Sequence, residues 1–237
     1  MGVFPFDRPK NYNEMLNKIG LFTFLEAIVL TLLITNILDP VRQALYARDW
    51  HVKVMSIELP LLVVLPGVAI ALFARIIRLH DKLSDLFRIR QHFDVFRILI
   101  PLANAVGYKP SEKALKALKT DRKRAMRKTF YRYASFEEPA ISKALVLSAI
   151  DIWTWYWVLL EFLFLLVITA SLFLAFHALR PAFFTLAAFG VLLLLFLTAF
   201  PVCARKASNQ IEEIVSDAQR AKKIRLEFAA LLHNHGK

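Results

Sequence analysis

Cysteine is almost absent from this chain of 237 residues: only Cys203 is present. That excludes a disulfide framework and an all-cysteine zinc site. Glycine is scarce too. The six glycines (Gly2, Gly20, Gly67, Gly107, Gly190 and Gly236) never fall within six residues of each other. A glycine-rich phosphate loop therefore cannot be built. Acidic residues are few, 19 against 31 Lys+Arg, which leaves a net charge of +12. The first ten residues, MGVFPFDRPK, lack the short apolar run and small-residue cleavage site of a signal peptide, and Phe6 stands where myristoylation needs Ser or Thr.

Apolar residues, in contrast, are in excess: 57% of the chain, with a mean hydropathy of +0.48. A soluble domain of this size rarely carries so many, so part of the apolar surface must face something other than its own core. Joined to the basic excess, this predicts a membrane protein with one basic side. It excludes a disordered chain.

A spanning helix needs about 20 mostly apolar residues to cross about 30 Å of hydrocarbon. Four stretches qualify: residues 21–38, ending at Asp39-Pro40; 55–77, containing Pro60, Pro66 and Gly67; 153–176; and 183–202. Only Arg180-Pro181-Ala182 and its neighbours separate the last two, which predicts a tight antiparallel hairpin. The expected fold is all-α, with four transmembrane helices and a helical, basic cytoplasmic domain. The chain divides accordingly into 1–77 with the first two spans, a basic cytoplasmic domain at 78–152, the hairpin at 153–204, and a cytoplasmic C-terminal helix at 205–237.

Charge sets the expected orientation. Lys+Arg number three in residues 1–20, 17 in 75–152 and seven in 205–237, against three in 39–53 and one in 180–182. Four spans place 27 of the 31 on one face, and the positive-inside bias makes that face cytoplasmic. The location predicted is the cell's inner (plasma) membrane, with both termini in the cytoplasm. Trp153, Trp155, Tyr156 and Trp157 would form an aromatic belt where the third span meets the headgroups.

After the second span no breaker occurs until Pro101. Leu79, Leu83, Leu86, Phe87, Phe93 and Phe96 recur at helical spacing, so the span is expected to continue as a rod. Asn104 to Pro110, with Gly107, reads as a turn. Ser111 then caps a helix from Glu112 to Tyr133. That helix is the most basic piece of the chain. Lys116, Lys119, Arg122, Lys123, Arg124, Arg127, Lys128 and Arg132 are its candidate contacts for a ligand or partner. Three readings of it stand: a solvated face drawn to anionic lipid, a site for a phosphate-bearing ligand with Tyr131 and Tyr133 available for stacking, or a dock for an acidic protein surface.

Ionisable and polar residues inside spans are costly and by default suggest function. Glu26, Glu58, Glu161, Arg75 and Asn36 are of this kind. At 1.5 Å per residue, Glu26 lies roughly 8 Å and Glu161 roughly 12 Å below the cytoplasmic ends of their spans, with Arg75 in the same leaflet. Glu26 or Glu161 could pair with Arg75 or take hydrogen bonds across helices. The carboxylates could instead line a cation-favouring pore between copies, or relay protons. Pro60, Pro66 and Gly67 predict a kinked second span.

No catalytic constellation is found, and neither an enzyme activity, a cofactor nor a metal is expected. Asp81, Asp85 and His92 could share a helical face, but pairing with nearby arginines accounts for that face. The function expected is an oligomeric, channel-like or sensor/effector membrane protein, gated through its basic domain by a ligand or partner. A bacterial antiphage effector is one setting for it. The alternative is a non-conducting scaffold that recruits an acidic or nucleic-acid-bound partner. Its surroundings would be the lipid bilayer, including anionic lipids, and further copies of itself.

Overall fold

The computed structural model of the chain describes residues 7–45, 51–54 and 57–233. These are almost entirely helical. In order they form α1 (Tyr12–Ile37), α2 (Asp39–Leu45), β1 (His51–Val54), β2 (Ile57–Pro60), α3 (Leu61–Ile77), α4 (Leu79–Leu86), α5 (Ile89–Phe93), a π-helical turn (Asp94–Leu99), α6 (Ile100–Ala105), α7 (Glu112–Thr120), α8 (Arg122–Thr129), α9 (Lys143–Ala175), α10 (Leu179–Val215) and α11 (Ala218–His233). Among the described residues α1, α9 and α10 are long and apolar enough to cross a membrane. A fourth span arises if α3 and α4, bent by 59° at their junction, count as one. This is the composition of a helical membrane protein.

The described residues fall into two compact units. The first holds Asp7, the described part of Asn13–Lys82, and Thr154–Ala199. The second holds Arg8–Tyr12, Leu83–Trp153 and the described residues from Phe200 onward. Helices α4, α9 and α10 each contribute residues to both.

In the first unit the apolar helices pack through small clusters. Leu30, Leu165 and Leu166 form one, with Ile70, Phe162, Phe189 and Leu192 against it. Leu38, Phe173 and Ala182 form another. Helices α1 and α3 approach closely at Gly67, where a Cβ would lie 2.8 Å from Ile28 Cγ1 and 3.5 Å from the Phe24 ring. Small residues permit such approaches between apolar helices. Of the apolar window in α10 only 6% is buried, against 44% in α1 and 50% in α9, so α10 keeps its apolar surface outward.

Several sequence expectations are corrected. The second span does not begin at residue 55. Residues 51–54 and 57–60 pair as an antiparallel hairpin, with Lys53 opposite Glu58, and the helix starts at Leu61. β-Branched Val52, Val54 and Ile57 favour extended backbone, and Pro60 cannot donate further along a strand. The broken or kinked helix expected in this span is a broken one, although it runs through Pro66 and Gly67. The break comes at Arg78, which takes a left-handed φ of 53°. Arg88 does the same, so the expected rod is three separate helical pieces. The hairpin turn lies at residues 176–178, before Arg180-Pro181. His177 (φ 56°) closes α9, and the Ala178 N–H reaches back to the Phe173 carbonyl at 2.8 Å. Pro181 sits in the first turn of α10, where its missing N–H costs nothing. Of the aromatic residues where the third span begins, Tyr156 and Trp157 are buried, and half-buried Trp155 packs edge-on against Phe22 at 4.8 Å.

The second unit is a cluster of short helices. Gly107 (φ 73°) ends α6 in a Schellman closure, with Tyr108 N–H donating to the Ala103 carbonyl at 2.8 Å. Ser111 caps α7 by accepting from Ala114 N–H. The expected single helix from Glu112 to Tyr133 is interrupted at Asp121 (φ −97°, ψ 24°), and α8 follows. The break lets two apolar stripes be buried, Ala114, Ala117 and Leu118 on α7 and Ala125 and Met126 on α8. Helix α11 packs on α6, α7 and α8, burying Ile224 and Phe228, with Phe228 stacked on Tyr108.

The α1–α3 contact gives a stability test. Replacing Gly67 with valine forces side-chain volume into Ile28 and should cost about 1–3 kcal/mol. Gly190→Ala, where an added Cβ meets nothing within 4 Å, should leave the thermal midpoint of the detergent-solubilised protein unchanged.

Candidate functional site

The polar residues of the first unit gather around Glu161. It lies on α9 and is 2% exposed. Its Oε1 accepts from the His80 backbone N–H at 3.0 Å and stands 3.3 Å from His80 Nδ1. Its Oε2 is 2.5 Å from Thr23 Oγ1 on α1. That hydroxyl has one proton and two acceptors in reach, the second being the Ile19 carbonyl at 3.0 Å. On its far side His80 Nε2 is 3.7 Å from Asp81 Oδ1, and Asp81 is paired with Arg78 at 2.7 Å. A chain of chargeable groups thus runs from Arg78, which is half exposed, to the enclosed Glu161. The left-handed turn at Arg78 makes this possible, because it carries His80 back toward α9.

The other expected intramembrane residues behave differently. Glu26 is buried, with Glu161 as its electrostatic neighbour, and its Oε2 has no hydrogen-bond partner among the described residues. Arg75 meets neither glutamate; its guanidinium donates to Asn17 Oδ1 at 2.8 Å. Asn36 is exposed and donates to Leu32 of its own helix. Thr31 and Thr35 are buried and also bond their own helix, at Ala27 and Thr31. Glu58 lies on β2 opposite Lys53 in register, and its side chain is outside the described residues. His80, Thr23 and Lys18 were missed as site residues. Lys18 is almost wholly buried, donates to the Asp7 carbonyl at 3.2 Å and lies 4.4 Å over the Trp155 ring. A lone histidine beside arginines gives no signal in the sequence, and a lysine eight residues before the first glutamate of the span resembles an ordinary flank.

In the second unit the basic residues divide by role. Arg122 is drawn inward to Asp94 at 2.7 Å, a pair with both side chains about nine-tenths buried. Lys128 and Arg132 face Glu227 of α11 at 3.6 and 3.7 Å. Lys119 is exposed and lies 5.3 Å over the Phe96 ring. Lys116, Lys123, Arg124 and Arg127 are exposed. Tyr133 is buried and Tyr131 packs edge-on against Phe130, so the two do not form a stacking platform. A cavity of about 370 Å³ opens at the α7–α8 junction, lined by Lys119, Thr120, Asp121, Arg122, Lys123 and Arg124, with Asp85, Arg88 and Gln91 opposite. Among the described residues no group of three or more His, Cys, Asp or Glu side chains could hold a metal ion.

With this geometry in place, comparison with known proteins adds one result. The chain belongs to the YmfE protein family, whose sequence model matches residues 11–229. No curated protein and no solved structure matches it.

Two predictions concern these groups. Glu161→Leu strands the His80 N–H in a buried place, at a cost of about 1–3 kcal/mol, while the Thr23 hydroxyl turns to the Ile19 carbonyl. Glu161→Gln keeps an acceptor for them and should lower the thermal midpoint less. For Asp94, burial pushes the carboxyl up to about 6, against the opposing pull of Arg122 and Arg90. The folded value lies above that of an unfolded aspartate, about 4. Asp94 therefore favours the native state most strongly below pH 4, and that contribution fades as pH rises through 6. Carboxyl NMR should find its midpoint near 6, and Asp94→Asn should remove this component from the pH dependence of unfolding.

Proposed function

We propose that this protein is an oligomeric, multipass inner-membrane protein of channel-like or sensor/effector type. Its basic helical unit, with both termini, faces the cytoplasm and receives the ligand or partner that shifts the spans. The observation that carries this reading is the enclosed cluster of Glu161, His80 and Thr23, with Glu26 beside it, among helices otherwise apolar. A scaffold needs only a lipid-compatible anchor. Groups able to carry charge inside such a helix set are costly to keep, and that cost supports a role in moving or sensing charge. The distribution of Lys and Arg supports the orientation, and the outward apolar face of α10 suits both lipid and a second copy.

The non-conducting scaffold stands as a second reading. What favours it is the exposed cationic surface of Lys116, Lys123, Arg124 and Arg127, which suits an acidic partner with no pore at all.

Ion flux from proteoliposomes separates the two. The channel-like reading expects flux above empty vesicles, reduced several-fold by Glu161→Gln or Glu26→Gln in protein that still reconstitutes. Flux equal to the empty control, or unaltered in both variants, overturns it. The scaffold then requires that charge reversal of Lys123 and Arg124 abolish partner recruitment.

A further inference from the structure

The basic residues of the second unit are not one uniform face, because the fold assigns most of them to partners. Arg122 is held by Asp94, and Lys128 and Arg132 by Glu227. The cations left without an ion pair among the described residues include Arg88, Lys123 and Arg124, and these three line the same cavity. Lys119 joins them, its ammonium over the Phe96 ring. They come from two separate stretches of chain, brought face to face. Arg88 stands at the left-handed junction of α4 and α5, a conformation that a residue with a Cβ rarely adopts. Lys119, Lys123 and Arg124 flank the interruption at Asp121. Had residues 112–133 formed one continuous helix, residues 119, 123 and 124 would lie along a convex ridge. The interruption turns that ridge into one wall of a concavity.

The lining also holds two carboxylates. Asp121 already has a partner among the described residues, and Asp85 stands three positions before Arg88. Arg122, tied to Asp94, anchors the floor and offers no free guanidinium. Four available cations against Asp85 leave the space strongly positive, and Gln91 and Thr120 add neutral polar groups. A volume of about 370 Å³ lies at the lower end of small-molecule sites, roughly 300–1,000 Å³. It exceeds the needs of a single inorganic anion.

We propose that the cavity between the α4–α5 junction and the α7–α8 junction binds the phosphate groups of a small phosphorylated molecule, with Arg88, Lys123, Arg124 and Lys119 as the contacts. Guanidinium and ammonium donors match phosphate oxygens through charge-assisted hydrogen bonds. The inference rests on the reading that this unit receives a ligand, and it names the ligand's chemistry. That phosphate belongs either to a free molecule or to a lipid headgroup.

The test uses the full chain in neutral detergent, with inorganic pyrophosphate as the free probe and micelles doped with phosphatidic acid as the headgroup probe, followed by calorimetry at fixed ionic strength. Phosphatidylcholine micelles and sulfate serve as controls. Saturable pyrophosphate binding, weakened about tenfold or more by Arg88→Ala and by Lys123→Ala, supports the proposal with a free ligand. Binding of phosphatidic acid only, with the same losses, supports it with a headgroup. Arg88→Lys retains the charge and should recover part of the affinity, and Lys222→Ala, exposed on α11 and outside the cavity, should leave it unchanged. Absence of binding to both probes overturns the proposal. So does binding that survives the cavity variants or falls equally with Lys222→Ala, since that is nonspecific attraction. Saturable binding with flux equal to that of empty vesicles removes the channel-like reading and leaves the site standing; flux above empty vesicles without binding of either probe does the reverse.

Discussion

Everything in this structure answers to one constraint: a polar group removed from water must find a partner. Glu161 is the sharpest case. Its carboxyl group is enclosed by apolar helices, yet both oxygens are engaged, one by a backbone N–H and imidazole, the other by a hydroxyl. An apolar surrounding makes each such contact stronger and makes the loss of one more costly. Thr31, Thr35 and Thr169 obey the same rule in a simpler way, turning their hydroxyls back onto their own helices. Glu26 is one exception: a buried carboxyl oxygen beside Glu161 lacks a hydrogen bond among the described residues, as does the buried His80 Nε2. Such exceptions concentrate where a protein uses charge.

Backbone breaks decide which residues meet. Arg78, Arg88 and His177 all take left-handed conformations that a glycine would adopt at less cost. At Arg78 the result is the return of His80 to Glu161. At Arg88 it is one wall of the basic cavity. His177 closes the helical hairpin one residue before α10 begins its approach. In the second unit the π-helical turn starts at Asp94, and the ion pair that Asp94 makes with Arg122 fastens α8 where the interruption at Asp121 leaves it. The same pair removes Arg122 from any ligand-binding role, although its sequence neighbours Lys123 and Arg124 stay available. Adjacent cations in one basic run thus have opposite fates.

Membership of the YmfE family covers nearly the whole described chain. Function therefore has to be argued from the groups themselves. The two features that stand out, an enclosed acid–imidazole cluster and an open cationic cavity, fall in different units, and helices α4, α9 and α10 contribute residues to both.

Much of this was legible in the residues. Runs such as 21–38, 153–176 and 183–202 are too apolar and too long to be anything but spanning-type helices, because hydrophobic length is a local property of the chain. The Gly107 turn and the Ser111 cap were equally legible, since each depends on residues a few positions apart. Glu161 was marked by its cost alone. Its partners were not legible: Thr23 is 138 residues away and His80 is 81, and no periodicity ties them. The strands at 51–60 escaped because a short apolar stretch of β-branched residues reads alike as strand or helix. The split at Asp121 escaped because it exists to bury two apolar stripes and to seat Arg122 on Asp94, and only the packed chain decides that. Composition determined that this chain carries apolar helices and a basic part. Tertiary structure decided which acid meets which base, because those contacts form between segments that are near neighbours only after packing.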